Sequence, residues 1–159
     1  MRLVINIGHG GGDPGAVNKK LGVTENSFNR ELGNCLKQQW PFFVRLIEQS
    51  EAGLNQLVRD INSMDPTLVV SLHCNAAEAA TATGTETLYW HTSTSSRRLA
   101  ECVQAQMVTV LGLPNRGVKP RDNLAVLRDT KCPAIIVEPF FISNEADYQK
   151  AKANIEKLA

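Results

Sequence analysis

Two histidines and two glutamates in this sequence have the types and positions needed for hydrolytic chemistry. His9 lies in a glycine-rich loop just after one apolar run, and His73 and Glu138 each directly follow another such run. Glu25 lies in the first turn of a predicted helix. Two imidazoles and one carboxylate are a known ligand set of catalytic zinc, which leaves one coordination position for water. A second carboxylate beside that water could act as the general base in cleavage of an amide or ester.

Apolar runs and helical periodicity predict the elements that must position these residues. We predict strands over residues 3–7, 42–47, 67–72, 85–90, 124–127 and 134–137, and a polar loop over 115–123. We predict helices from the cap Thr24 to about residue 39, over 52–63, from 95 or 96 to 111, and from the cap Ser143 to 158. Strands alternate with helices, and several strands are continuously apolar. This pattern is typical of a single α/β domain with a mostly parallel sheet and helices on both faces.

The predicted topology brings the candidate residues together. Ligands of open α/β sheets bind beyond the carboxyl ends of the strands, so His9, His73 and Glu138 should be neighbours. Glu25 begins its helix from the same end of the sheet and shares the inward-facing stripe of Phe28. No basic residue stands at the usual helical spacing after Glu25, so this carboxylate needs a partner from elsewhere in the chain.

Composition and charge argue against several other functions. The 159 residues suit one domain, and a formal net charge of +1 gives no field that would attract nucleic acid or a membrane surface. Four scattered cysteines without a C-x-x-C pair predict neither a disulfide framework nor a thiolate metal site, and they fit a reducing compartment. No apolar run is long enough to span a bilayer, and Met1 leads directly into the first strand, so we expect no signal peptide.

Four segments, in order along the chain, resemble motifs of the zinc-dependent N-acetylmuramoyl-L-alanine amidases of the type-3 amidase family. Residues 8–16 (GHGGGDPGA) are similar to the opening motif, and residues 71–76 (SLHCNA) to the second histidine motif. Residues 115–119 with 126–128 resemble the segment before the last strand, and residues 137–144 (VEPFFISN) resemble the motif with the catalytic glutamate. Because the motifs occur in family order and cover nearly the whole chain, the resemblance is specific.

This resemblance implies a mixed sheet of about six strands and one Zn2+ per chain. By position, it makes His9, Glu25 and His73 the metal ligands and Glu138 the catalytic acid or base. The substrate would be peptidoglycan, cut between the lactyl group of N-acetylmuramic acid and the first L-alanine of the stem peptide. Members of the family act as bacterial cell-wall hydrolases or as phage endolysins.

The chain departs from the family pattern in two places. Asn6 stands where the family often has an aspartate, and if that residue orients a ligand, a neutral amide holds the ligand less firmly. Residues 41–66 match the family poorly, which leaves the sheet edge and part of the cleft wall undetermined. We expect residues 1–159 to form one catalytic amidase domain with no separate cell-wall-binding domain.

Several other polar residues near these motifs allow two roles each. Asn75 either contacts substrate or braces its own loop, and we favour the second role. The basic residues of the predicted polar loop, Arg116, Lys119 and Arg121, are most simply solvated, and alternatively they meet carboxylates of the stem peptide. Cys74 should lie in the core, because it points to the other face of the sheet.

The function we expect is that of a monomeric amidase with peptidoglycan as its partner, without nucleic acid and without insertion into a membrane. It would be made in the cytoplasm and act at the cell wall or in the periplasm, as a phage lysis enzyme does after release by a holin. A non-catalytic peptidoglycan-binding module on the same fold is an alternative, although the presence of all four acid and histidine positions argues against it. A zinc peptidase or deacetylase with another substrate is also an alternative, because it would share the site.

Overall fold

The computed structural model describes residues 2–41 and 43–159, which form eight strands and six helices. The strands are β1 (Leu3–Ile7), β2 (Val17–Asn18), β3 (Val23–Thr24), β4 (Val44–Glu48), β5 (Leu68–Leu72), β6 (Thr85–Trp90), β7 (Asn115–Arg121) and β8 (Ala134–Glu138). The helices are α1 (Glu25–Gln39), α2 (Leu54–Ser63), α3 (Thr94–Leu111), α4 (Ala125–Asp129), α5 (Glu145–Ala153) and α6 (Ile155–Leu158). None of these helices is both long enough and apolar enough to cross a bilayer.

Six of the strands form one mixed sheet, as the resemblance implies. Its order is β4-β1-β5-β8-β6-β7. β1 is parallel to both β4 and β5, and β8 is parallel to β5. β6 runs antiparallel to β8, with Glu86 directly opposite Glu138, and β7 is parallel to β6. The carboxyl ends of β1, β5 and β8 therefore lie side by side at one end of the sheet.

Helices cover both faces of the sheet, as predicted. One face packs against α1, α3, α5 and α6 and includes the buried Phe28 and Ile135, together with Cys74 as expected. The other face packs against α2 and α4 and includes the buried Ile136. Successive side chains of a strand point to opposite faces, so Glu138 shares the α2 and α4 face with Ile136.

The predicted polar loop over residues 115–123 is wrong, because Asn115–Arg121 form the edge strand β7. An edge strand is paired on one side only, so charged side chains and Pro120 are tolerated there. This segment has no continuous apolar run. Apolar runs are the signal that predicts most of the other strands, so this strand was not recognised.

Of the two short apolar segments that predict strands, over 42–47 and 124–127, one forms a strand and the other does not. The segment over 42–47 contributes to β4, although Phe42 lies outside the described residues. The predicted strand over 124–127 is wrong, because this segment leads into the helix α4, where Val126 and Leu127 are both buried. A run of four apolar residues does not distinguish a strand from a short buried helix.

Of the two caps predicted here, at Thr24 and Ser143, one is confirmed and the other is displaced by one residue. Thr24 caps α1 as predicted, through reciprocal hydrogen bonds with Ser27. The predicted cap Ser143 is wrong by one residue, because the side chain of Asn144 accepts the hydrogen bond from the helix at 3.2 Å. The predicted last helix is also interrupted at Asn154, which separates α5 from α6.

Candidate metal centre

His9, Glu25 and His73 come together where β1 and β5 end and α1 begins. One ligand atom from each residue lies within 4.8 Å of the other two. His9 Nε2 is 3.0 Å from Glu25 Oε2, and His73 Nδ1 is 3.0 Å from Glu25 Oε1. The structure thus brings together three side chains that lie 16 to 64 positions apart in the sequence. These residues form a group that could hold a metal ion.

Glu25 is the centre of this cluster and is only 4% exposed. In addition to the two imidazoles, the backbone N–H of Cys74 donates to Oε1 at 2.9 Å, and the backbone N–H of Ala16 donates to Oε2 at 3.0 Å. Burial raises the pKa of the Glu25 carboxyl, but the hydrogen bonds, those from His73 and His9 first, hold this pKa well below its usual range. These contacts supply the partners that an inward-facing carboxylate requires.

His9 is oriented by Asp13, whose role was missed in the sequence. His9 Nδ1 lies 2.8 Å from Asp13 Oδ2, and Asp13 Oδ1 accepts the backbone N–H of Gly15 at 2.9 Å. A carboxylate four residues after a loop histidine was the signal that could have identified it. Hydrogen bonding to Glu25 raises the pKa of His9 to about 9; burial opposes this shift and Asp13 adds to it. A carboxylate that is hydrogen-bonded to the ring nitrogen that does not bind the metal fixes the orientation of a ligating histidine and increases its basicity.

Asn6 forms no hydrogen bond with either histidine of the site among the described residues. It is buried on β1, its Nδ2 donates to Ser71 Oγ at 2.7 Å, and its Oδ1 has no hydrogen-bond partner there. The carboxylate that orients a histidine is therefore Asp13, not the residue at position 6.

Two glycines leave the space that the cluster needs. A Cβ atom on Gly8 would lie 2.3 Å from the backbone oxygen of Leu72 and 2.7 Å from Cε1 of the next residue, His73. A Cβ atom on Gly15 would lie 2.6 Å from Cδ2 of His9 and 2.8 Å from Oε2 of Glu25, and Gly15 also has a φ of +67°. Any side chain at either position would displace a candidate ligand.

We expect Gly8→Ala to weaken zinc binding at least about tenfold, because the added methyl group moves the His73 imidazole. Gly15→Ala should weaken it more, since strain at positive φ adds to the contact with His9. Gly12→Ala is the matched control, because Gly12 has a φ of +92° but a Cβ there would meet nothing within 4 Å. Competition with a chromophoric chelator measures all three affinities. Unchanged affinity in a folded Gly8→Ala variant would contradict this geometry.

Glu138 ends β8 beside the cluster and is held by Asn75. Nδ2 of Asn75 donates to Glu138 Oε2 at 2.9 Å, and its Oδ1 accepts the backbone N–H of Ala76 at 2.9 Å. Asn75 thus braces its own loop and fixes the carboxyl group as well. Burial raises the pKa of Glu138 to about 8, and the carboxylate of Glu86 adds to the shift. A carboxyl group that titrates near neutrality is suited to proton transfer at physiological pH.

Arg116 lies on the strand β7 and not in a loop, and its exposed side chain pairs with a buried carboxylate. Its Nε is 2.9 Å from Glu86 Oε2, and its guanidinium carbon is 4.9 Å from the centroid of the Phe141 ring. Glu86 is 6% exposed and lies opposite Glu138 in the antiparallel pairing of β6 and β8. Arg116 therefore offsets the charge of a carboxylate adjacent to Glu138. Sequence reasoning missed Glu86, because the order of elements along the chain does not reveal which strands are neighbours.

Two cavities have His73 in their walls. The first has a volume of about 230 Å³, extends over His9 and reaches Leu54 of α2. The second has a volume of about 320 Å³ and includes Glu138 and Arg121. Because both cavities contact His73, a substrate that spans them would pass over this residue of the cluster.

Comparison with known proteins identifies one family. The family model for N-acetylmuramoyl-L-alanine amidase matches residues 3–158. The chain is 30% identical over 162 residues to the N-acetylmuramoyl-L-alanine amidase LytC of Bacillus subtilis, an alignment that covers 98% of this chain and 32% of LytC. The chain therefore spans about a third of the length of this relative.

Two solved structures share the fold over nearly the whole chain. The crystal structure of an N-acetylmuramoyl-L-alanine amidase from Clostridium difficile 630 superposes with a TM-score of 0.88 at 28% identity, covering 99% of this chain and 89% of that one. The catalytic domain of the CD27L endolysin, which targets Clostridia difficile, gives a TM-score of 0.86 at 27% identity, covering 99% of this chain and 93% of that one. The chain thus belongs to the N-acetylmuramoyl-L-alanine amidase family.

Proposed function

We propose that this chain is a zinc-dependent hydrolase that cleaves the amide bond between N-acetylmuramic acid and L-alanine in peptidoglycan. The observation that carries the proposal is the cluster of His9, Glu25 and His73 next to the partly buried carboxyl group of Glu138. Family membership supports the choice of substrate and of bond. Since one chain provides all four groups, a monomer with one zinc ion is sufficient.

The donor set fits zinc. Catalytic zinc sites use three protein ligands of imidazole and carboxylate type, at about 2.0–2.2 Å, and leave a further position open. His9 Nε2, His73 Nδ1 and one oxygen of Glu25 would hold the ion, and Asp13 supports His9 from its other nitrogen. When bound, zinc supplies Lewis acidity to an attacking water and to the carbonyl group of the substrate.

Glu138 is the proposed proton carrier. The hydrogen bond from Asn75 to Oε2 orients this carboxyl group for proton transfer. The carboxylate takes a proton from the attacking water and delivers it to the amide nitrogen as the carbon–nitrogen bond breaks. The products are the lactyl carboxylate of muramic acid and a free α-amino group on L-alanine. Water supplies all the atoms that are added.

Digestion of purified peptidoglycan tests this proposal. We expect new L-alanine amino termini, their loss after treatment with a chelator, and recovery with about one equivalent of zinc per chain. Zinc binding without new termini would instead indicate a non-catalytic binding module. Mass spectrometry of the products separates the remaining alternatives, because a peptidase cuts another bond and a deacetylase releases acetate.

Zinc affinity should increase with pH up to about 9. The pKa of His9 is raised to about 9, so at neutral pH its Nε2 carries a proton that must leave before a metal can bind. Protons therefore favour the metal-free state, and the apparent Kd should fall about tenfold per pH unit between about pH 7 and 8.5. Calorimetry in buffers of different ionisation enthalpy should detect about one released proton at neutral pH. A pH-independent affinity over this range would contradict the raised pKa of His9.

We further propose that the chain acts at the bacterial cell wall as a lysis enzyme of the endolysin type. Its similarity to the catalytic domain of CD27L supports this role. Expression in bacteria together with a phage holin should lyse the culture, whereas the same culture expressing the Glu138→Gln variant should not lyse. Lysis without the holin would indicate a different route to the wall.

A further inference from the structure

The cavity that contains Glu138 also contains one basic side chain, that of Arg121. Its walls are formed by His73, Leu88, Arg121, Asn123, Leu124, Ile136 and Glu138. Arg121 lies at the end of β7, opposite Trp90 of β6. Within the described residues its guanidinium takes part in no ion pair, and its Nη1 donates to the carbonyl of the adjacent Pro120 at 3.2 Å. Arg121 therefore presents a charge without a counterion to this cavity.

The other basic residues of β7 differ from Arg121. Arg116 is already paired with Glu86, and Lys119 does not line the cavity. Burial and the neighbouring Glu86 raise the pKa of Glu138, and the positive charge of Arg121 partly offsets that shift. The guanidinium is thus near the group that exchanges protons with the substrate, although it lies too far away to form an ion pair with that group.

The position of Glu138 indicates which part of the substrate this cavity contacts. Glu138 delivers a proton to the nitrogen of L-alanine, so the peptide that begins with this nitrogen must extend from the side on which Glu138 lies. The cavity of about 230 Å³ contains His9 but not Glu138, so it faces the muramoyl side of the bond. The cavity with Arg121 consequently faces the stem peptide.

We propose that this second cavity is a stem-peptide subsite in which Arg121 binds a carboxylate on the residue that follows L-alanine. The inference rests on the function proposed above. A guanidinium can bind a carboxylate through two parallel charge-assisted hydrogen bonds. The apolar side chains of Leu88, Leu124 and Ile136 line the same cavity and limit competition from water. A stem peptide with a neutral carboxamide at this position would leave the guanidinium without a charged partner, so the subsite should discriminate between the two forms.

Kinetics with two substrates test the proposal. The substrates are N-acetylmuramoyl-L-alanyl dipeptides whose second residue carries either a free α-carboxylate or the corresponding carboxamide. We expect the parent enzyme to prefer the carboxylate about tenfold in kcat/KM, the size expected for one charge-assisted hydrogen bond. Arg121→Gln should remove this preference through a rise in KM that only the carboxylate substrate shows. Because Arg121 also lowers the pKa of Glu138, any change in kcat should be the same for both substrates. Arg121→Lys should keep part of the preference. Lys119→Gln, which removes a charge from the same strand, should keep all of it.

Equal kcat/KM for the two substrates in the parent enzyme, or equal losses on both in Arg121→Gln, would overturn the proposal. A binding measurement separates this failure from failure of the proposed function. The free dipeptides that begin with L-alanine, acid and carboxamide, can be titrated into the zinc-loaded protein and followed by NMR. A preference for the acid that disappears in Arg121→Gln supports the subsite even if no substrate is hydrolysed. Equal binding of the two dipeptides contradicts it whether or not the protein is an enzyme.

Discussion

Replacing Glu138 by glutamine should leave zinc bound and reduce turnover of peptidoglycan about a thousandfold. The substitution keeps the shape of the side chain and leaves all three metal-binding residues intact, but an amide cannot accept a proton from water. General acid–base catalysis contributes typically about 10²–10⁴-fold to a rate, which sets the expected size of the loss. The measurement is the rate of appearance of L-alanine amino termini, with the zinc content of the same sample determined by mass spectrometry.

Glu101→Gln is the control for this experiment. Glu101 is an exposed glutamate on α3 that pairs with Arg97, far along the chain from the cluster, and its replacement should change neither zinc content nor rate. If Glu138→Gln retained more than about a tenth of the parent rate at full zinc occupancy, Glu138 would not be the proton carrier.

Replacing Glu25 by glutamine should reduce zinc affinity at least about a hundredfold. Mutation of a residue that only hydrogen-bonds to a metal ligand already lowers metal affinity about 10–100-fold, and Glu25 is itself a proposed ligand. The amide lacks the negative charge of a ligand, and its NH2 group would face the imidazoles and backbone N–H groups that now donate to the carboxylate. The metal-free variant should also unfold at a lower temperature, since these buried donors lose an acceptor.

The matched control for Glu25 lies on the same helix. Glu31 of α1 is part-exposed and pairs with Lys152, so Glu31→Gln should bind zinc as the parent protein does. Chelator competition gives the affinities, and thermal unfolding in the absence of metal gives the stabilities. Parent-like zinc affinity in Glu25→Gln would show that another group completes the site.

Most of the fold follows from local patterns in the sequence. β8 is a continuous apolar run up to Glu138, and β1 and β5 are apolar except for one polar residue each. β6 is apolar only at its end, from Leu88 to Trp90. α1 has a cap and an apolar stripe, so each of these elements was predictable from its own residues. β7 was not predictable from its own residues, because an edge strand needs no apolar run and the charged residues of β7 resemble those of a loop. The helix α4 was not predictable either, because five residues are too few for a helical period to be recognised.

The residues of the candidate site also form two groups, those that the sequence pattern reveals and those that it does not. His9, His73 and Glu138 were recognisable because each follows an apolar strand, and the order of parallel strands places such residues together. Asp13 and Glu86 were not recognised, because their roles depend on three-dimensional neighbours. Asp13 reaches His9 through a loop with several residues at positive φ, and Glu86 reaches Glu138 through the antiparallel pairing of β6 with β8.

The central claim is that one zinc ion binds between His9, Glu25 and His73. A crystal structure of the zinc-loaded protein, with diffraction data collected on both sides of the zinc absorption edge, tests it most directly. We predict one anomalous peak per chain, at about 2.0–2.2 Å from His9 Nε2, His73 Nδ1 and a Glu25 oxygen, with Glu138 near but not bound to the ion. A peak coordinated by a different carboxylate, or the absence of a peak between the two imidazoles in a fully zinc-loaded and active protein, would contradict the account.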